Sequence, residues 1–167
     1  MTALPKTRMT VDEYLSWAEE QPGRYELLDG AVFAMSPEGA GHAERKAAVH
    51  AALLAGIRTR GLACYALPDG MTVRINEVTA YEPDALVYCG VKLASTAIEV
   101  PNPVIVVEVL SPSTRHIDLA AKLADYFRLP SVERAADETI LTRIVSEGRI
   151  KLAPPGLEIA MADVYAA

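Results

Sequence analysis

The spacing of apolar and polar positions predicts a helix followed by a hairpin in the first part of the chain. Thr10 and Glu13 form a capping box, in which each side chain satisfies a free backbone amide, so a short helix is predicted over residues 11–20. Two apolar runs then flank Asp29-Gly30, a dipeptide typical of a two-residue hairpin turn because both turn positions need a positive φ. The predicted hairpin strands are residues 25–28 and 31–35.

The middle of the chain alternates between helical and strand patterns. Val49, Leu53 and Ile57 recur every four residues, which predicts an amphipathic helix over residues 42–60 that ends at Gly61. Short apolar runs between turn residues predict the remaining elements. These are strands over 63–67, 71–75, 84–89, 103–110, 139–145, 149–152 and 156–161, a turn at 68–70 and a helix over 117–128. Such a mixture of strands and helices indicates the α/β class.

Length, composition and charge narrow the possible classes of protein. A chain of 167 residues, 51% hydrophobic and 23% charged, suits one globular domain spanning residues 1–167. The net charge of −6 argues against a nonspecific basic nucleic-acid binder but leaves room for a local basic cleft. With no apolar leader or membrane-length run, a cytoplasmic protein without a membrane segment is expected. Cys64 and Cys89 lie in apolar stretches and are predicted to be reduced, buried thiols.

A glutamate interrupts one of the apolar runs. Residues 103–110 are apolar without alternation, which predicts a central strand buried on both faces, yet Glu108 stands within them. A buried carboxylate is costly unless it is paired or bound to a metal. Asp84 begins a similar strand, and two carboxylates that converge at one end of a sheet suit Mg²⁺ or Mn²⁺. Alternatively, Glu108 pairs with an arginine such as Arg115, and Asp84 caps its strand.

Several short motifs, in a fixed order along the chain, resemble those of one nuclease superfamily. They are Tyr25-Glu26-Leu27-Leu28-Asp29-Gly30, Met35-Ser36-Pro37 with His42 after it, Tyr81-Glu82-Pro83-Asp84, Glu108-Val109-Leu110-Ser111-Pro112-Ser113-Thr114, and Asp118, Lys122 and Tyr126. The set resembles the PD-(D/E)XK, restriction-endonuclease-like superfamily, and within it a branch of uncharacterised bacterial proteins. The resemblance implies a mixed central β-sheet flanked by helices. It also implies an endonuclease that hydrolyses phosphodiester bonds of DNA as a homodimer, since two strands need two cuts.

The resemblance also implies roles for particular residues. Asp84 and Glu108 would hold the metal, Mg²⁺ or Mn²⁺. The superfamily's lysine normally stands two places after the glutamate, where this chain has Leu110, so Lys122 on the following helix is the candidate for its replacement. A spacing of four places three residues on one helix face: Asp118, Lys122 and Tyr126. The alternative for Lys122 is an exposed ion pair with Asp118, worth only about 0.3–0.5 kcal/mol.

Two further residues have both a functional and a structural interpretation. In the resemblance, Glu26 approaches the metal site as an additional catalytic acid; otherwise it is an exposed strand residue. His42 follows a glycine-containing loop at the start of a helix, where backbone amides favour an anion, so it is a candidate contact to the DNA backbone. Its alternative is a local hydrogen-bonding role.

The chain departs from the family pattern after Val132. The family enters another apolar strand there, whereas this chain continues with Glu133-Arg134-Ala135-Ala136-Asp137. Either a strand or segment is missing, or the sheet edge is repaired in a dimer. Three functions stay open: a metal-dependent endonuclease, a degenerate nuclease fold that binds nucleic acid or protein without cutting, and a metal hydrolase of a small phosphorylated substrate. A small closed pocket, rather than an open groove, would favour the last.

Overall fold

The computed structural model describes residues 2–4, 7–110, 119–132 and 145–165. Within these residues the chain forms four helices and ten strands. The helices are α1 (Val11–Ala18), α2 (Ala40–Arg60), α3 (Leu119–Tyr126) and α4 (Met161–Tyr165). The strands are β1 (Thr2–Leu4), β2 (Tyr25–Leu28), β3 (Ala31–Ala34), β4 (Cys64–Pro68), β5 (Val73–Asn76), β6 (Thr79–Tyr81), β7 (Ala85–Cys89), β8 (Pro103–Val107), β9 (Arg149–Leu152) and β10 (Leu157–Ala160).

A five-stranded antiparallel sheet, in the order β1-β3-β2-β6-β5, contains the predicted hairpin. Leu28 pairs with Ala31 across the turn, and Asp29 and Gly30 have φ values of 47° and 77°. The capping box of α1 is also present, with the Glu13 carboxylate accepting from the backbone N–H of Thr10. Both local sequence signals therefore formed the structures predicted from them.

A second antiparallel sheet has the order β4-β7-β8, so β7 is its central strand. Among the described strands β8 pairs only with β7; the strand predicted over 103–110 is shorter than expected, because β8 ends at Val107. It ends there because the Val109 N–H donates to the Asp84 carboxylate instead of continuing the ladder. Glu108 thus lies just beyond the strand, and Leu110 is 49% exposed.

Helix α2 packs across β4 and β10 and supplies much of the core. Leu53 and Ile57 are buried, as the four-residue spacing predicted, and they cluster with Leu157 and Ile159 of β10. Gly56 permits the close approach of β10, because a Cβ at this position would lie 3.1 Å from the Glu158 carbonyl oxygen.

Other predictions fare unevenly. The α/β class is confirmed, while parallel pairing in the described residues is limited to an isolated bridge between Thr72 and Glu99. Strand β9 pairs with β10, and residues 139–144 of the strand predicted before it lie outside the described residues. Strands β1 and β6 and helix α4 were not predicted. No helix in the described ranges is long and apolar enough to cross a bilayer.

The prediction of reduced, buried thiols is wrong. Cys64 and Cys89 occupy directly opposed positions on β4 and β7, and they form a disulfide. Cys89 is exposed rather than buried. Apolar neighbours along the chain suggested burial, whereas the register of two distant strands decides which side chains meet.

Candidate active site

Two carboxylates meet where β7 begins and β8 ends. Ala85 pairs with Val107, so the antiparallel register brings Asp84 and Glu108 to the same end of the sheet. The Asp84 N–H donates to the Val107 carbonyl at 3.0 Å, and the Asp84 Oδ2 accepts from the Val109 N–H at 2.6 Å. The backbone of one strand therefore fixes the acid of the other.

The groups around Glu108 shift its pKa in opposite directions. Its Oε1 accepts a 2.7 Å hydrogen bond from the Tyr126 hydroxyl and lies 3.5 Å from the Lys122 Nζ. Burial raises the pKa of Glu108 to about 7, although Lys122 and the Tyr126 hydrogen bond lower it, and Glu26 and Asp84 add to the rise. Near neutral pH this carboxyl group is poised between its two protonation states.

Glu26 reaches the same place from the other sheet. It belongs to β2 and is only 1% exposed, so its interpretation as an exposed strand residue is wrong. Its Oε1 accepts from the Glu82 N–H at 3.0 Å and from the Lys122 Nζ at 2.7 Å. A buried carboxylate with these partners joins the five-stranded sheet to the acids of the three-stranded sheet.

Lys122 is buried on α3, with 7% of its surface exposed. Its ammonium group contacts Glu26 and Glu108 and lies 5.1 Å from the centre of the Tyr81 ring, a cation–π distance. The alternative of an exposed pair is therefore wrong, and Asp118 lies outside the described residues. The Lys122–Tyr126 face is the buried face of α3, while the apolar side chain of Leu123 is 40% exposed.

Helix α2 contributes a second cationic group that the sequence did not reveal. Lys46 is 7% exposed, and its Nζ lies 2.9 Å from Glu38, 3.5 Å from the Asp84 Oδ1 and in a short contact with Asp69. The turn at 68–70 explained Asp69 only as a turn residue; it also binds Arg24. The one available signal was that Lys46 follows His42 by four residues and so shares its helix face.

His42 belongs to the same helix, α2, and its side chain contacts the backbone just beyond the end of β8. Its Nε2 is 2.8 Å from the Val109 carbonyl oxygen and its Nδ1 is 2.7 Å from the Glu38 carboxylate. Because both partners are acceptors, the doubly protonated ring satisfies both contacts. Partial burial lowers the pKa of His42, but the Val109 and Glu38 hydrogen bonds and the charge of Asp84 outweigh it and raise the pKa overall. These contacts correspond to the local hydrogen-bonding alternative.

The acids and cations form one continuous circuit. On one side, Glu26 is linked through the Glu82 backbone and side chain to Arg24, and from there through Asp69 and Lys46 to Asp84. The Asp84 carboxylate accepts from the backbone of Val109, the residue after Glu108. On the other side, Lys122 links Glu108 back to Glu26. Such a network gives Glu26, Asp69, Asp84 and Glu108 at least two partners each. The site is thereby preorganised by residues from both sheets and from two helices.

The donor set is compatible with Mg²⁺ or Mn²⁺. No three His, Cys, Asp or Glu side chains in the described ranges are grouped as a complete set of ligands. Mg²⁺ does not require such a set, because it keeps several water molecules and is commonly held by one or two carboxylates. Asp84 and Glu108 supply two adjacent carboxylates, and the elevated pKa of Glu108 reflects in part the crowding of negative charge that a cation would relieve.

A cavity of about 360 Å³ adjoins this site. Glu108, Lys122 and Tyr126 form one wall, and the remaining lining is mostly apolar, including Val104, Val106 and Phe127. Apart from Glu108, Lys122 and Tyr126, the cavity offers few polar groups for recognising a small phosphorylated molecule.

Two known proteins are similar to this chain over almost its whole length. A curated relative from Synechocystis sp. (strain ATCC 27184 / PCC 6803 / Kazusa), "Uncharacterized protein slr1290", is 26% identical over 187 residues, covering 96% of this chain and 93% of its own length. A solved structure of "a putative nuclease belonging to DUF820" from Anabaena variabilis ATCC 29413 has a TM-score of 0.72 at 12% identity, covering 95% of this chain and 98% of its own. That likeness supports the predicted fold.

The family comparison is also consistent with the departure after Val132. The 187 positions of the Synechocystis alignment exceed the 167 residues of this chain, so that relative has residues with no counterpart here. The family model matches residues 11–134, so the match ends close to the point at which the chain departs from the family pattern. Because that match covers most of the chain and confirms the restriction-endonuclease-like resemblance, the chain belongs to the Uma2 family, described as "Putative restriction endonuclease".

Proposed function

We propose that this protein is a divalent-metal-dependent DNA endonuclease that hydrolyses phosphodiester bonds. The observation that carries the proposal is the convergence of Asp84, Glu108, Glu26 and Lys122, which come from separate elements, into one buried cluster. Ion pairs with no function are usually exposed and weak, whereas a cluster of buried acids around one lysine is costly to maintain and is typical of functional sites.

Asp84 and Glu108 would hold Mg²⁺ or Mn²⁺. When bound, such a cation polarises a phosphoryl oxygen and lowers the pKa of its water. The chain's own contribution is to fix the two carboxylates: the Val109 N–H orients Asp84, and the Tyr126 hydroxyl orients Glu108.

Lys122 would neutralise negative charge that develops on the phosphate. Its ammonium group already lies between Glu26 and Glu108, so it needs no large rearrangement to reach this centre. Leu110, at the usual lysine position, is half exposed and carries no charge. In this chain it is helix α3 that brings a cation to Glu26 and Glu108.

The test is cleavage of supercoiled plasmid, single-stranded DNA and branched DNA in Mg²⁺ and in Mn²⁺. Asp84→Asn and Glu108→Gln, purified identically, should abolish the cutting seen with the native protein, because each removes one proposed ligand. Glu77→Gln changes an exposed glutamate and serves as the matched control. Equal cutting by all preparations would reveal a contaminating nuclease and remove support for the proposal.

A second candidate is a nuclease fold that binds nucleic acid or protein without cutting. The net charge of −6 and the displacement of the lysine from position 110 favour it. DNA binding by a folded protein that neither cuts nor responds to Mg²⁺ would select this candidate.

We infer a homodimer for the endonuclease, because a double-strand break needs two centres. Light scattering of the purified protein tests this directly. The cytoplasmic location stays a prediction from the sequence.

A further inference from the structure

Lys46 is a buried cation that the proposed reaction does not use. It lies on α2, away from Lys122, and its ammonium group faces three carboxylates: Glu38, Asp69 and Asp84. Asp84 is itself only 8% exposed. A lysine brought so close to a proposed metal ligand must affect what else that ligand can bind.

We propose that Lys46 is a positioning residue and the resident counter-cation of Asp84, which it holds in place and for which it competes with a divalent metal ion. The inference rests on the proposed function, because it takes Asp84 as a metal ligand. Lys46 thereby sets the metal concentration that the site needs.

The two oxygens of Asp84 are held differently. Oδ2 accepts a 2.6 Å hydrogen bond from the Val109 N–H, whereas Oδ1 lies 3.5 Å from the Lys46 Nζ. The backbone bond is short and charge-assisted, while the lysine contact is longer and shared with Glu38 and Asp69. Asp84 Oδ1, the oxygen beside Lys46, is therefore the one that another cation can bind more readily.

Two effects of removing Lys46 oppose each other. Loss of a supporting contact generally weakens metal binding about 10–100-fold. Loss of a like charge beside the ligand strengthens metal binding, because the Lys46 Nζ lies only 3.5 Å from the Asp84 Oδ1. Because the Val109 N–H continues to hold Asp84, most of the support survives and the charge effect prevails.

Calorimetric titration with Mn²⁺ and with Mg²⁺ tests the proposal without relying on cleavage. Lys46→Met removes the charge, and Lys46→Gln removes it while keeping an amide that can still donate to Asp69. Both should bind the metal about tenfold more tightly than the native protein. Lys46→Arg keeps the charge and should stay within about twofold of the native affinity.

Lys92→Gln is the matched control, because Lys92 is exposed and follows the far end of β7 from Asp84. Unchanged or weaker metal binding by Lys46→Gln, with a native melting temperature, would overturn the proposal. If Lys46 had a purely structural role, Lys46→Gln would bind the metal more weakly and melt at a lower temperature. Our proposal predicts the opposite change in metal affinity. Asp84→Asn distinguishes failure of the proposed metal site from failure of the Lys46 inference alone. If metal binding by Asp84→Asn equals that of the native protein, Asp84 is not a metal ligand, and both proposals fail.

Discussion

Two lysines, equally buried, stand on opposite sides of the acidic cluster. Lys122 packs beside the Tyr81 ring and contacts Glu26, which is almost fully buried. Lys46 contacts Glu38 and Asp69, whose side chains are 35% and 27% exposed. The ammonium group of Lys122 thus lies in a mainly enclosed setting, whereas that of Lys46 belongs to a network that water can enter.

This difference decides how strongly each lysine acts. In an enclosed setting, charge interactions are weakly screened, and the loss of a partner leaves a costly unpaired charge. In a hydrated network, the solvent compensates for much of a lost partner. We therefore expect changes on the Lys122 side to be large and changes on the Lys46 side to be small or of opposite sign.

The largest effect is expected for Lys122→Met in DNA cleavage. Loss of a cation that stabilises developing charge should lower kcat roughly 10²–10³-fold, with little change in the KM for DNA. Steady-state cleavage at saturating Mg²⁺ measures both constants, and Lys92→Met is the control. A fall smaller than that of Lys46→Met would reverse the proposed ranking of the two lysines.

A stability comparison sharpens the same contrast. Glu26→Gln should lower the free energy of unfolding by about 3 kcal/mol, because it weakens the pairing of the buried Lys122. Asp69→Asn, on the more hydrated side, should lower it by about 1 kcal/mol. Urea denaturation in the presence of EDTA measures both, and equal losses would show that the two sides do not differ in screening.

The elevated pKa of Glu108 predicts a pH effect with a definite sign. The folded protein holds this proton more tightly than the unfolded chain, since the pKa rises from 4.5 to about 7. Glu108 therefore stabilises the metal-free fold fully below about pH 4.5, and this contribution is lost as the pH rises through 7.

Unfolding free energies of the native protein and Glu108→Gln, measured in EDTA from pH 5 to 8, test that effect. The native protein should lose roughly 2 kcal/mol more than the variant over this range. Comparison with the variant cancels the titration of His42, whose raised pKa acts in the same direction. Parallel pH profiles would contradict the assignment.

The smallest effect is expected for Tyr126→Phe. It removes one hydrogen bond to Glu108 and leaves the carboxylate and Lys122 in place, so cleavage should fall about tenfold. Tyr65→Phe, in the three-stranded sheet, is the control. A loss comparable to that of Lys122→Met would mean that Tyr126 does more than orient Glu108.

Local signals in the sequence foretold local structure well. The Thr10–Glu13 capping box and the Asp29-Gly30 turn depend on neighbouring residues, and both formed. The four-residue spacing of α2 gave its buried face for the same reason. The family motifs also identified the members that the structure brings together on the Lys122 side.

Features that depend on distant parts of the chain escaped prediction. The end of β8 is set by the Asp84 carboxylate, and the Cys64–Cys89 pairing is set by strand register. Lys46 is ordinary in its sequence context and becomes unusual only when the turn containing Asp69 folds against α2. The spacing of apolar residues along the sequence does not predict such contacts, because they join segments that are far apart along the chain.

The contact between Lys122 and Glu26 joins residues 96 positions apart, and this separation has a consequence for the newly made protein. The ribosome releases all the acids of the cluster before it releases Lys122. A nascent chain that pairs its strands early therefore brings Glu26 and Glu108 together before the lysine that contacts both of them has been made. We therefore expect the cluster to close only after α3 has been made, so that an unfinished chain lacks the charge arrangement that we assign to DNA cleavage.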